Sequence, residues 1–122
     1  RANRAVCRSV RIVDFEPPAD SGAAAPIEHS YVQVCGRPVA AGVSLDAYMQ
    51  ETYGESLARR FAKTDLNGTC AYRSRGQGTS LVIYARSGTG LVQIVTGVTA
   101  APEHEALRRA QVERILGGLT LS

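Results

Sequence analysis

The sequence predicts an α+β domain: an antiparallel sheet of about five strands with two helices packed on it, in the order β-β-α-β-β-β-α. Three observations carry this reading. Thr79 to Ala100 holds two apolar runs, Leu81–Tyr84 and Leu91–Val95, joined by a glycine-rich turn; β-branched and aromatic residues at this density read as a hairpin near the middle of a sheet. Ser44 to Phe61 repeats its apolar residues at three- and four-residue spacing, the period of an amphipathic helix. Good helix formers return only after Pro102, which sits where a first helical turn tolerates proline.

Each element follows in order. Arg4 to Phe15 alternates weakly, with Val6, Val10 and Ile12 on one side and Cys7, Val13 and Phe15 on the other, and reads as a strand. Pro17-Pro18 and the Ala/Gly-rich stretch to Pro26 then form a loop, because consecutive prolines fix φ and remove backbone donors. Glu28 to Pro38 returns to strand character, Tyr31, Gln33 and Cys35 facing one way and Val32 and Val34 the other.

The helix from Ser44 opens on a good N-cap, with Asp46 in its first turn where negative charge suits the macrodipole. Leu45, Tyr48, Met49, Thr52, Tyr53, Leu57 and Phe61 form its apolar face, and Gly54 inside it costs roughly 1 kcal/mol relative to alanine. Asn67-Gly68 is a turn signal, followed by a strand at Thr69–Arg73. Arg75-Gly76-Gln77-Gly78 turns the chain into the hairpin. The last helix, Glu103 to Leu116, places Val112, Ile115 and Leu116 on one side, and Gly117-Gly118 stops it.

At 122 residues the chain is one domain, long enough to bury roughly two-thirds of its unfolded surface. No apolar run approaches the ~20 residues needed to span a bilayer, so any membrane attachment is expected outside these residues. The net charge of +3 comes from thirteen arginines against one lysine, Lys63. Arginines spread along the whole chain read as arginine-favouring codon usage, with anion recognition by the planar guanidinium fork as the alternative. A nucleic-acid surface would gather them in a stripe with aromatic partners, so no nucleic-acid partner is expected.

Cys7, Cys35 and Cys70 make an odd count, and none sits in a metal-ligand spacing. A Cys35–Cys70 disulfide closes a loop worth roughly 3–4 kcal/mol of chain entropy, with Cys7–Cys70 as the competing pair and three reduced thiols as the alternative. His29 lies six residues before Cys35, some 20 Å along a regular strand, and His104 sits between Glu103 and Glu105, a position that reads as solvated surface. Neither completes a cysteine nucleophile with its base. The two Gly-x-Gly fragments lie between strands and not before a helix, where a phosphate cradle would need them. No cofactor is expected.

The candidate binding residues are therefore recognition residues. Tyr48, Tyr53, Tyr72 and Tyr84 are amphipathic aromatics able to line a groove, or to pack in the core with their hydroxyls at its edge. Arg73 and Arg75, with the Pro17–Pro26 loop, form a rim suited to an acidic partner.

From Ser44 onward, the order helix, strand, strand, strand, helix, with the phrase Gly90-Leu91-Val92-Gln93-Ile94 and the closing Ile115-Leu116-Gly117-Gly118-Leu119, resembles the small α+β domains of the Mog1/PsbP/DcrB kind. The resemblance covers some 75 residues, and the chain departs from it in lacking tryptophan and in carrying three cysteines. It implies a non-enzymatic binding or accessory role in a secreted, periplasmic or membrane-attached, lipoprotein-like bacterial protein, recognising a protein partner or a small ligand. It transfers no functional residues. The alternative is a small cysteine-dependent enzyme using Cys35 or Cys70; a third expectation is a homo-oligomer built through the Leu81–Val98 edge.

Overall fold

The computed structural model describes residues 6–14, 28–38, 42–76, 80–87 and 90–119. The candidate rim loop at Pro17–Pro26 lies outside the described residues. The elements are β1 (Val6–Asp14), β2 (Glu28–Pro38), α1 (Leu45–Tyr53), a single 3-10 turn, α2 (Leu57–Arg60), β3 (Phe61–Leu66), β4 (Thr69–Ser74), β5 (Ser80–Ser87), β6 (Gly90–Thr99), a second 3-10 turn and α3 (Glu105–Gly117). One antiparallel sheet of six strands runs in the order β1-β2-β6-β5-β4-β3. The α+β class and the central place of the β5–β6 hairpin agree with the sequence.

Helices cover both faces of this sheet, and β4, β5 and β6 feed them by alternation. On one face α3 packs Val112 and Leu116 against Val32, Ala71, Ile83, Ala85, Ile94 and Val98. On the other, α1 and the segment after it bury Leu45, Met49 and Phe61 against Tyr72, Tyr84 and Leu91. A central strand sandwiched in this way must be apolar on both sides, and Leu91, Val92, Ile94 and Val98 of β6 are all buried.

The long helix expected over Ser44–Phe61 is shorter than its periodicity suggests. Ser44 caps α1 as anticipated, its Oγ accepting from the Ala47 N–H at 3.0 Å. The helix then stops at Gly54, whose φ of +55° is open to glycine but strained for other residues. The chain makes a 3-10 turn and one turn of α2, and Phe61 begins a strand. This edge strand, β3, is the one the sequence hid: it is largely exposed after Phe61, so it lacks the apolar run by which a strand is recognised. Gly54→Ala is accordingly expected to destabilise by about 1–2 kcal/mol in urea denaturation. A helix continuing through position 54 would gain about 1 kcal/mol instead, so a stabilised variant would refute the break.

Asn67-Gly68 forms the β3–β4 turn with φ of +53° and +93°, as the dipeptide signals. Its amide also closes the far end of α3: Asn67 Nδ2 donates to the carbonyls of Leu116 at 2.9 Å and Leu119 at 2.7 Å. Across β2 and β6, Gly97 is fixed by a neighbour. A Cβ there would fall 2.7 Å from Tyr31 Cζ and closer still to Cε1, so the tyrosine ring occupies the space a side chain would take. Gly97→Ala should cost about 1–2 kcal/mol, and pairing it with Tyr31→Ala should recover most of that loss. Additive losses in the double variant would rule out the contact.

The cysteine pairing expected from the sequence is corrected. Cys35 is bonded to Cys7, not to Cys70, which is free and exposed. Strand order decides the matter. Cys7 and Cys35 are directly opposite in the β1–β2 register. Between β2 and β4 lie β6 and β5, so Cys70 is three strand spacings from Cys35, about 14 Å. Cys7–Cys70 is farther still.

Candidate functional site

The helical segment from α1 to α2 packs on the face of the sheet opposite α3. An open groove with a volume of about 330 Å³ is lined by this segment, with Gly54 among its residues, and by β3 and β4. Gln50, Gly54, Glu55, Leu57 and Ala58 make the helical wall. Phe61, Lys63 and Tyr72 make the sheet side, and Arg75 stands at the mouth.

Each side chain is placed by its element. Phe61 and Tyr72 are almost fully buried and give the groove an aromatic floor. Tyr72 donates its hydroxyl to Asp46 Oδ1 in the first turn of α1, and Lys63 Nζ reaches the same carboxylate at 3.0 Å. The tyrosine hydrogen bond first, then the lysine, hold the Asp46 carboxyl below its usual range. The same contact with Asp46 raises both the Tyr72 phenol and the Lys63 ammonium, so at neutral pH the trio is an uncharged phenol beside a compensated ion pair.

Arg75 follows the last residue of β4 and turns back over α2. Its backbone N–H donates to Arg60 O at 2.9 Å, and its Nε donates to the carbonyls of Ala58 at 2.9 Å and Phe61 at 3.1 Å. The Ala58 and Arg60 carbonyls lie in the single turn of α2 and the Phe61 carbonyl at the start of β3, main-chain acceptors that the short helix leaves without intrahelical donors. The guanidinium is thus oriented by its Nε while its two terminal nitrogens have no partner among the described residues.

Of the residues singled out from the sequence, Tyr72 and Arg75 line this groove. Tyr48, Tyr53 and Tyr84 sit together beside it as a cluster with Phe61. Ring centroids are 4.8 Å apart for Tyr53–Phe61, 5.7 Å for Phe61–Tyr84, and 6.0 Å for both Tyr48–Tyr84 and Tyr53–Tyr84. Their hydroxyls are joined, Tyr53 Oη to Tyr84 Oη at 2.8 Å, with Gln93 Nε2 donating to Tyr84 Oη at 3.1 Å. The cluster therefore supports the groove from behind. Arg73 does not join it: the side chain faces α3 and pairs bidentately with Glu113, Nη1 to Oε1 at 3.3 Å. The rim imagined from Arg73 and Arg75 is split between two elements.

Sequence reasoning missed Phe61, Leu57, Ala58, Glu55 and Gln50 as lining residues, because the helix was read as continuous. It also misplaced His104. That imidazole is not solvated surface: its Nδ1 donates to Glu28 Oε2 at 2.7 Å, with only 17% of the side chain exposed. Glu28, at the start of β2, also accepts from Arg108 Nε at 3.0 Å and from the Ala101 N–H at 3.3 Å. The histidine hydrogen bond, then Arg108 and Ala101, hold the Glu28 carboxyl below its ordinary value against the opposing effect of burial. The network pins the start of α3 to the sheet on the face opposite the groove.

Cys35, being half of a disulfide, offers no thiolate, and Cys70 is exposed on β4. Among the described residues no three His, Cys, Asp or Glu side chains gather in a metal-binding arrangement, and no helix is long and apolar enough to cross a membrane. Compared with protein-family models, curated proteins and solved structures, the chain matches none.

Proposed function

We propose that this protein is a non-enzymatic binding module of a secreted or cell-envelope bacterial protein, and that it recognises a small ligand in the groove between the broken helical segment and β3–β4. The observation that carries this is the groove itself: an aromatic floor of Phe61 and Tyr72 with a few polar groups converging on its mouth. That is the composition of ligand sites, at the small end of their usual range of roughly 300–1,000 Å³. The phrases Gly90-Leu91-Val92-Gln93-Ile94 and Ile115-Leu116-Gly117-Gly118-Leu119 resemble those of the Mog1/PsbP/DcrB-like domains and are in keeping with an accessory role, although four strands and not three follow α2. The Cys7–Cys35 disulfide fits an oxidising compartment outside the cytoplasm.

The test is an amide-resolved NMR screen with small aromatic compounds of positive, negative and zero charge. Saturable shifts should cluster on Gly54, Ala58, Phe61 and Arg75. Ala58→Trp, a substitution at an exposed position in the wall, should fill the groove and abolish them without altering the fold. Shifts centred on another surface, or unaffected by Ala58→Trp, would sink the reading.

A further inference from the structure

We infer that the groove is specific for a small carboxylate with an apolar or aromatic body, whose carboxylate is received by the two terminal nitrogens of Arg75. This rests on the reading of the groove as a binding site and adds the class of ligand.

Three observations lead there. The first is the state of Arg75. A guanidinium on a protein surface ordinarily spends its fork on water or on a neighbouring carboxylate. Here Nε is committed to two main-chain carbonyls, of Ala58 and Phe61, which fixes the plane of the group. Among the described residues its terminal nitrogens have no partner, and the exposed Arg75 lines the groove. An arginine oriented in advance presents parallel donors that match the two oxygens of a carboxylate.

The second is the balance of charge around the groove. Arg60 lies over the Tyr53 ring, its Cζ 4.9 Å from the centroid, and Lys63 lies over the Tyr72 ring at 5.8 Å. Lys63 is compensated by Asp46, and Glu55 in the helical wall is the opposing charge. Of the lining residues Lys63 and Arg75 are cationic and Glu55 anionic, and Arg59 and Arg60 add positive charge in the last turn of α2. Such a site draws in a negative ligand and rejects a positive one.

The third is size and floor. A space of about 330 Å³ suits a molecule of one ring better than a peptide segment. Phe61, Leu57 and the ring of Tyr72 offer it apolar contact. Carboxylate at the mouth and ring on the floor is the orientation that satisfies both.

The experiment titrates the intact protein with phenylacetate and, separately, with 2-phenylethanol, a neutral probe of nearly the same shape, following amide shifts. Phenylacetate should bind at the groove at least about tenfold more tightly, because a charge-assisted bidentate contact is lost in the alcohol. Arg75→Gln should erase that difference. Arg75→Lys, which keeps the charge but loses the fork, should retain only part of it. Equal binding of the two probes by the wild type overturns the carboxylate assignment while leaving the groove a binding site. So does a preference that survives Arg75→Gln. If neither probe gives saturable shifts at the groove, and the wider screen gives none there either, both the assignment and the underlying reading fall. The wild-type comparison stands even if a variant does not fold.

Discussion

Arg108→Met is expected to destabilise the protein by about 3–5 kcal/mol, although it removes no apolar surface from the core. Arg108 stands in the buried stripe of α3, four residues before Val112 and eight before Leu116, and is only 4% exposed. Its Nε donates to Glu28 Oε1 at 3.0 Å and its Nη1 to Gln111 Oε1 at 3.2 Å. Methionine keeps most of the aliphatic stem, so packing is nearly preserved. What remains is a buried carboxylate that keeps His104 and the Ala101 N–H but has lost its guanidinium, and a buried charge deprived of its cation costs more than the pair was favourable. The control is the double variant Glu28→Leu/Arg108→Met, in which both charges leave together and most of the stability should return. Measured by urea denaturation, a loss under 1 kcal/mol for Arg108→Met alone would mean that the contact carries little weight.

The same network contributes to the acid limb of stability. The folded protein holds the Glu28 carboxyl below its ordinary value of 4.5, through the His104 hydrogen bond first and then Arg108 and Ala101. Over that interval the unfolded chain binds more protons than the folded one, so stability rises with pH there. The contribution is complete above the ordinary value and is lost as pH falls through the depressed one. Arg108→Met should therefore flatten the acid limb as well as lower it. A variant whose loss is the same at every pH below 7 would place the effect in packing and not in charge.

How much of this was legible in the residues depends on the range over which each feature is decided. The β5–β6 hairpin was plain because a strand buried on both faces must be apolar at nearly every position, and Leu91, Val92 and Ile94 are. The N-cap at Ser44 and the Asn67-Gly68 turn are local chemistry and were equally plain. The end of α1 was not, since Tyr53, Leu57 and Phe61 keep helical spacing across Gly54. Only the positive φ at Gly54, and the need for Phe61 in the sheet, break the pattern. The groove inherits that error: Tyr72 and Arg75 were named, but Phe61 and Leu57 were assigned to a helix face, and Arg73 was placed with Arg75 because the two are neighbours in the chain. The Glu28–His104–Arg108 network left no local trace, its partners being 76 and 80 residues apart. Its one signal is an arginine in line with an apolar helix stripe.

Reduction of the protein is expected to remove about 3 kcal/mol of stability, and the cysteine count explains how to see it. The Cys7–Cys35 bond links residues 28 apart in sequence, and the chain entropy withdrawn from the unfolded state by a loop of that length is roughly 3–4 kcal/mol. The bond ties β1 to its neighbour at the edge of the sheet, where β1 otherwise depends on one ladder to β2. An edge strand with a single partner is the part of a sheet most easily lost. The oxidised native protein should titrate one thiol, Cys70, which is exposed, and the reduced, denatured chain should titrate three. Cys70→Ser should leave the urea midpoint unchanged within about 0.5 kcal/mol, as a surface substitution does, whereas Cys7→Ser and Cys35→Ser should each match the reduced wild type. The asymmetry separates this pairing from the rival ones, since a bond to Cys70 would make Cys70→Ser as damaging as reduction. It bears on function too. A β2 cysteine held in a structural bond, and a Cys70 that can be replaced without consequence, would count against a thiol-dependent activity of the proposed site; loss of ligand-induced shifts in Cys70→Ser would bring the thiol back into it.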